Sequence, residues 1–226
     1  MQLHRLNNSL ALRVKHRAAE FLNAYTTNSL NAPRNAFVNL RGQIVCVCDQ
    51  MVISPEKMIL VIEKQFIERL QTHLVPYLKL YETVIEPAPE FKIYFDLEGD
   101  REPERGEIFV PRQKGLLIGT TDELMAGVSD EAFRWFRVKN NIPVQGIDFD
   151  EELLLNVADE EFVSYTKGCY LGQEIIARVH HRAKPPKKLV VKSLDECSPE
   201  EATRMTSKCV DPDTGKMVGF IFINNS

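Results

Sequence analysis

The chain has 226 residues, of which 44% are hydrophobic and 27% charged, and its formal net charge is −4. This length suits one domain or two domains that share an interface, and the spread of aromatic residues along the chain excludes global disorder. The small negative charge excludes a whole-protein attraction to nucleic acid or to an anionic membrane, so any anion site must be a local patch.

The cysteine content and the absence of targeting signals predict a compartment. The 5 cysteines are an odd number scattered along the chain, which is a poor disulfide framework and fits a reducing environment. No apolar run reaches the ~18 residues that a membrane helix needs, and the N-terminus lacks the apolar segment of a signal peptide. We expect a cytoplasmic protein with no membrane partner. The mitochondrial matrix is the alternative, because four basic residues precede the first acid: Arg5, Arg13, Lys15 and Arg17.

The first half of the chain carries alternating helix and strand patterns. Apolar residues at helical spacing predict a helix over residues 15–25. Two short runs, 36–40 and 43–47, flank an Arg-Gly turn and predict a β-hairpin. The aliphatic run 58–62 predicts a strand, and residues 63–74 place their apolar side chains on one helical face.

Short strands dominate the predictions for the rest of the chain. They are expected over 79–85, 92–97, 108–110, 116–120, 188–191 and 216–223, with a polar loop at 100–105. Ser129 is the predicted N-cap of a helix that runs to about residue 140, with Asp130 and Glu131 suited to its first turn. Because the pattern is not the regular β-α-β alternation of a parallel sheet, we predict an α+β fold.

The most informative segment is the motif KGCYLGQE at residues 167–174. Its two glycines, Gly168 and Gly172, allow the backbone to bend and to approach a ligand closely. A short apolar helical run follows the motif, so Cys169 is expected just before a helix N-terminus, beside Lys167 and not far from Arg178. These three influences favour the thiolate form of the cysteine. The alternative is that Cys169 is a small buried apolar residue.

The string KGCYLGQE, followed by IIARVHHR, resembles the signature of the YgfZ family, whose eukaryotic mitochondrial members assist iron–sulfur cluster assembly. Residues 26–28, 39–44 and 137–146 are similar to that family's Thr-Asn turn, glycine hairpin and Arg-x-x-x-Gly-Ile-Pro stretch. The resemblance covers nearly the whole chain, strongly near Cys169 and loosely elsewhere.

The resemblance implies a T-protein-like folate-binding fold and a function. Residues 1–184 would form two interleaved α+β subdomains around a central folate pocket, and residues 185–226 a partial C-terminal β-barrel. The protein would be an auxiliary factor in iron–sulfur cluster assembly or repair, rather than an aminomethyltransferase. It would bind tetrahydrofolate or a related ligand and serve iron–sulfur client or assembly proteins. Cys169 would be the functional thiol, and the residues shaping its surroundings or the ligand site would be Lys167, Gly168, Tyr170, Gly172, Gln173, Glu174, Arg178 and Arg137.

Three departures from the family pattern affect this expectation. Lys139 stands where T-protein relatives carry a carboxylate that helps to hold the pterin, and a cation cannot accept hydrogen bonds from pterin N–H groups. Ser29 replaces an acid in the Thr-Asn turn, and the chain ends at Ser226, so the barrel is expected to be truncated or reduced. The alternatives are therefore a folate-dependent one-carbon transferase and a ligand-free interaction module on the same fold.

The remaining motifs predict no further site. The basic segment 178–188 suits a polyglutamate tail, a phosphate or RNA, or is a solvated loop, and its lack of interleaved aromatic residues argues against nucleic-acid readout. The adjacent His180 and His181 point to different faces of a regular element. Cys46 and Cys48 have no second cysteine pair to complete a four-ligand site, so we predict no metal site.

Overall fold

The computed structural model describes residues 2–158, 161–182 and 184–225. The helices are α1 (Ala18–Tyr25), α2 (Ile67–Tyr81), α3 (Asp130–Lys139), α4 (Leu154–Val157), α5 (Gln173–Arg182) and α6 (Pro199–Arg204). The strands are β1 (Leu3–Arg5), β2 (Ser9–Lys15), β3 (Arg34–Val38), β4 (Ile44–Ser54), β5 (Lys57–Glu63), β6 (Val84–Pro87), β7 (Lys92–Asp96), β8 (Ile108–Pro111), β9 (Leu116–Thr120), β10 (Lys187–Ser193), β11 (Thr206–Val210) and β12 (Met217–Asn224). They form antiparallel sheets in the orders β3-β4-β5-β2-β6, β1-β7-β9-β8 and β10-β12-β11.

Strand β5 lies in the centre of the protein because both of its faces are apolar. Met58, Leu60 and Ile62 belong to the core beneath α1 and α2. Ile59 and Val61 point the other way and belong to the core shared with the second sheet. Since successive side chains of a strand alternate between faces, one run of five aliphatic residues joins two layers. The mixed helix-and-sheet architecture predicted from the sequence is thus confirmed.

Several predicted boundaries were wrong, and packing explains each. Residues 9–15 form strand β2, paired along its length with β5, so α1 begins only at Ala18. Glu63 ends β5 instead of beginning a helix. Residues 79–81 remain in α2, which continues past Pro76 because its apolar face, including Tyr77 and Tyr81, packs on the first core. The sequence predictions missed β1, β2, β11 and the short helices α4 and α6.

The C-terminal sheet shares a core with the rest of the chain. Leu189 and Phe220 from this sheet pack in one cluster with Ile44 of β4 and Ile176 of α5. The predicted boundary at residue 184 and the interpretation of this sheet as a reduced barrel stay predictions. Within the described ranges, no helix combines the length and apolar character needed to cross a membrane.

Candidate functional site

The turn after α1 anchors the segment that leads into the KGCYLGQE motif. Thr27 donates a hydrogen bond from Oγ1 to the carbonyl oxygen of Phe162 at 2.6 Å. Asn28 donates from Nδ2 to the carbonyl oxygen of Glu161 at 3.0 Å. In return, the backbone N–H of Ser164 donates to the carbonyl oxygen of Thr27 at 3.0 Å. The Thr-Asn turn therefore holds residues 161–164 in place through three hydrogen bonds.

Lys167, the first residue of the motif, also hydrogen-bonds to the Thr-Asn turn. Its Nζ donates to the carbonyl oxygens of Thr26 at 2.6 Å and Asn28 at 3.0 Å. The ammonium group also lies 5.2 Å from the centre of the Tyr170 ring, which is buried. Burial lowers the pKa of Lys167 from 10.5 to about 8. The structure thus gives Lys167 an anchoring role on the backbone of the turn.

Cys169 differs from the other cysteines in its exposure. All five lie within the described residues and are free; Cys169 is exposed, Cys197 is partly buried, and Cys46, Cys48 and Cys209 are buried. Burial raises the pKa of the Cys46 and Cys48 thiols, which keeps them protonated and unreactive. The alternative of a buried, apolar Cys169 is therefore wrong.

The remaining motif residues lie between the hairpin and helix α5. Gly172 has φ +83° and packs on the turn that joins β3 to β4, whereas Gly168 lies in open space. Gln173 begins α5. Glu174 is exposed and accepts a hydrogen bond at 2.7 Å from Arg178, so this pair is a surface contact within the helix. The expected effect of Lys167 and Arg178 on the Cys169 thiol stays a prediction.

A separate cavity lies at the centre of the protein, between the first two sheets and helix α3. Its volume is about 80 Å³. No residue of the 167–174 motif is among its lining residues. Its wall carries five arginine, aspartate and glutamate side chains from distant parts of the chain: Arg34, Asp49, Glu63, Arg112 and Arg137.

Three of these groups form an ion network that reaches towards the motif. Arg112 donates to the carboxylate of Asp49, and Nε of Arg34 lies 3.7 Å from the same carboxylate. Nη1 of Arg34 lies 2.8 Å from Glu161, and its guanidinium stacks 4.2 Å from the centre of the Phe162 ring. Glu161 and Phe162 are the residues held by the Thr-Asn turn. The network therefore connects the cavity wall with the segment that carries Cys169.

Glu63 is the second carboxyl group on the cavity wall. It accepts a hydrogen bond from Oγ of Ser9 at 2.8 Å. Burial raises the pKa of Glu63, and the hydrogen bond from Ser9 opposes part of this effect. A carboxyl group in this state can hold or release a proton at a higher pH than an exposed glutamate can.

Arg137 and Lys139 lie on different sides of α3. Arg137 is buried and donates to Asp148 at 2.9 Å and to Ser207 at 2.9 Å, which ties α3 to the C-terminal sheet. Lys139 points outward: its side chain is 58% exposed and lies over the Trp135 ring at 5.8 Å. Residues i and i+2 of an α-helix, such as Arg137 and Lys139, point in directions about 200° apart around the helix axis. Lys139 is thus not a lining residue of this cavity, and its expected effect on pterin binding stays a prediction.

The cavity is smaller than a folate. An engineered cavity of about 150 Å³ holds one benzene ring, so about 80 Å³ does not accommodate a pterin without movement. An open groove of about 350 Å³ borders it near the N-terminal strand and α3. The two share the lining residues Leu6, Ser9, Glu63, Phe133, Arg137 and Val144. This shared wall is the natural path between solvent and the cavity.

Sequence analysis did not identify four of the cavity residues: Arg34, Asp49, Glu63 and Arg112. One sequence feature could have identified Asp49 and Glu63. Each is an acidic residue within, or at the end of, a long and mostly aliphatic strand. Such a residue needs a buried partner or a ligand.

Comparison with known proteins identifies the fold. No protein-family model and no curated protein matches the chain by sequence. Among solved structures, the glycine cleavage system aminomethyltransferase T from Bartonella henselae superposes with a TM-score of 0.68 and 13% identity, over 99% of this chain and 78% of that protein. At this level of identity the likeness concerns architecture alone. The chain therefore has the fold of the glycine cleavage aminomethyltransferase T.

Proposed function

We propose that this protein is an auxiliary factor in iron–sulfur cluster assembly or repair, with Cys169 as its functional thiol. The fold and the similarity of residues 167–174 to the YgfZ signature support this proposal. The observation that carries it is the placement of Cys169. This exposed thiol lies between Lys167, which is anchored on the Thr-Asn turn, and Tyr170, which is buried in the core.

The chemistry follows from that placement. Cysteine thiolates hold the iron atoms of iron–sulfur clusters. An exposed thiol on an anchored segment can contact a cluster or a disulfide on a partner protein without unfolding, whereas the buried Cys46 and Cys48 cannot. Cys169 would supply one thiolate to the iron–sulfur cargo, and the client would supply the others.

The central cavity is the proposed site for tetrahydrofolate or a related ligand. Its guanidinium groups donate hydrogen bonds and its carboxylates accept them, which is what the edge of a pterin ring requires. Opening of the wall around Glu63 and Arg137 would merge the cavity with the adjoining groove. The ion network through Arg34 and Glu161 would then connect ligand binding with the Cys169 segment.

Glu63 favours a second candidate, a folate-dependent one-carbon transferase. Such a reaction needs a group positioned to exchange a proton with the reacting nitrogen. A half-buried carboxyl group with a raised pKa on the cavity wall is suited to that task. An aminomethyl-transfer assay with tetrahydrofolate distinguishes the two candidates, because robust turnover would make the transferase the main function.

Complementation tests the role of Cys169. The gene is deleted in its host, and the activity of an iron–sulfur enzyme such as aconitase is measured in extracts. Wild type and Cys197→Ser are expected to restore this activity, and Cys169→Ser is expected not to. Cys197 is the matched control because it is the other cysteine outside the buried class. Full restoration by Cys169→Ser would remove the cysteine from the proposal.

Titration calorimetry with tetrahydrofolate tests the cavity. We expect wild type to bind and Glu63→Gln to bind at least tenfold more weakly, because the amide has one acceptor oxygen fewer for the pterin N–H groups and no negative charge. Lys139→Glu is expected to bind as wild type does, since Lys139 lies on the outer face of α3. A gain of affinity in Lys139→Glu would show that the ligand contacts that outer face instead.

A further inference from the structure

The loop that follows β7 brings three carboxylates together. Asp96, Glu98 and Asp100 occupy alternate positions, and one carboxylate oxygen of each lies within 4.8 Å of those of the other two. Gly99, with φ +69°, turns the chain between the last two. Asp96 ends β7, where the sheet fixes its backbone opposite Leu3 and Leu116.

Asp96 adds an independent observation. It is fully buried, and its Oδ2 has no hydrogen-bond partner within the described parts of the chain. Its Oδ1 accepts a hydrogen bond from the backbone N–H of Glu98 at 3.2 Å. A buried carboxylate oxygen without a partner is costly, and a bound cation is one way to satisfy it.

The basic residue next in the chain uses one nitrogen for two other acids. Arg101 donates from Nη2 to Glu104 at 3.0 Å and to Glu107 at 2.6 Å. Its buried Nε has no hydrogen-bond partner within the described residues. Three carboxylates within 4.8 Å repel one another when all are ionised.

We propose that Asp96, Glu98 and Asp100 form a binding site for a hard divalent cation, with Ca²⁺ preferred to Mg²⁺. Ca²⁺ takes six to eight oxygens at about 2.3–2.6 Å, so two of its ligands can be up to about 5 Å apart. Mg²⁺ binds at about 2.0–2.1 Å, which limits that separation to about 4 Å. The carboxylates supply three or more ligands and water the rest. The sequence-based prediction of no metal site considered only cysteine and histidine ligands.

Titration calorimetry of the EDTA-treated full-length protein with CaCl₂ and with MgCl₂ tests the site. We expect one saturable Ca²⁺ site with a Kd of about 10⁻⁴–10⁻³ M, as for weak calcium modules, and weaker Mg²⁺ binding. The double variant Glu98→Gln/Asp100→Asn changes only exposed side chains and is expected to lose at least tenfold in affinity. Glu102→Gln, an exposed acid in the same loop, is the control and is expected to bind as wild type does.

Thermal unfolding gives a second measurement. Ca²⁺ is expected to raise the Tm of wild type, because a ligand that binds only the folded state stabilises it. Asp96→Asn is expected to fold, since the amide keeps the shape and relieves the repulsion, and to show no rise of Tm with Ca²⁺. Absence of saturable binding, or equal Ca²⁺ affinity in the double variant, would overturn the site. Equal affinity for Mg²⁺ would overturn the stated preference.

Discussion

Gly172 lies directly against the backbone of Asn39. A Cβ atom on Gly172 would be 2.4 Å from the carbonyl oxygen of Asn39 and 2.9 Å from Cγ2 of Val38, and the backbone of Gly172 has φ +83°. The other glycine of the motif, Gly168, would have no atom within 4 Å of an added Cβ. The motif therefore uses Gly172 to approach the β3–β4 hairpin closely, whereas no such contact constrains Gly168.

This difference predicts opposite outcomes for two matched substitutions. Gly172→Ala is expected to lower the free energy of unfolding by about 3 kcal/mol or more, because it combines backbone strain with overlap. Gly168→Ala is expected to change it by less than about 1 kcal/mol. Urea denaturation of both variants measures the difference. Similar losses in the two variants would mean that the motif does not pack on the hairpin in this way.

Asn28 is expected to control the order of the Cys169 segment. Its side chain donates to the carbonyl oxygens of Arg34 and Glu161 and accepts from the N–H of Ser29. Asn28→Ala leaves buried groups without partners, at a cost of about 2–4 kcal/mol in unfolding free energy.

Hydrogen exchange locates the effect of this substitution. The amide of Ser164 donates to Thr27 in the turn, and that of Leu171 donates to Ala24 in the last turn of α1. We expect both to exchange faster in Asn28→Ala, and Ser164 most. Asn31→Ala, at an exposed position on the same turn, is the control and should leave both amides unchanged. Unchanged exchange in Asn28→Ala would show that Asn28 does not hold the segment.

The sequence predicted those helices and strands whose formation depends on neighbouring residues in the chain. Ser129 accepts a hydrogen bond from the N–H of Ala132 at 3.2 Å and caps α3, as its position before two acids predicted. The run 58–62 lies within strand β5, because dense aliphatic residues suit a strand buried on both faces. The boundaries failed where partner elements decide, as at residues 79–81, which stay in α2 because its apolar face packs on the first core as far as Tyr81.

Only part of the candidate site could be predicted from the sequence. The motif drew attention to Cys169, whose exposure the structure shows, but the close approach expected towards a ligand is, for Gly172, an approach to the β3–β4 hairpin. The charged cavity could not be predicted, because Arg34, Asp49 and Arg112 come from β3, β4 and the end of β8, and only the sheet arrangement brings them together. Likewise, the direction of Lys139 depends on which face of α3 packs inward.

Native-state alkylation tests the distribution of reactive thiols. We expect iodoacetamide to modify Cys169 fastest at about pH 8, since it is exposed, and to leave Cys46 and Cys48 unmodified, since burial raises the pKa of both thiols. Mass spectrometry of timed samples identifies the sites. Cys169→Ser should remove the fast phase, and Cys197→Ser should retain it. Early modification of Cys46 would show that the core opens readily.

Glu63 makes stability depend on pH in a direction that its environment fixes. Burial raises its pKa above the ordinary 4.5. The folded protein therefore keeps a proton on Glu63 at pH values where the unfolded chain has released it. Consequently, the free energy of unfolding falls as the pH rises from about 4.5 through the folded-state pKa.

Glu63→Gln removes this dependence, because the amide keeps the acceptor for Ser9 and cannot ionise. The variant is expected to have a higher Tm than wild type at about pH 7 and a similar Tm at about pH 4, where both carry a neutral group. Glu68→Gln, an exposed carboxyl on α2, controls for the loss of one negative charge. A wild type that is as stable as Glu63→Gln at about pH 7 would mean that the Glu63 carboxylate is accommodated without cost, as expected of a group that the cavity solvates well.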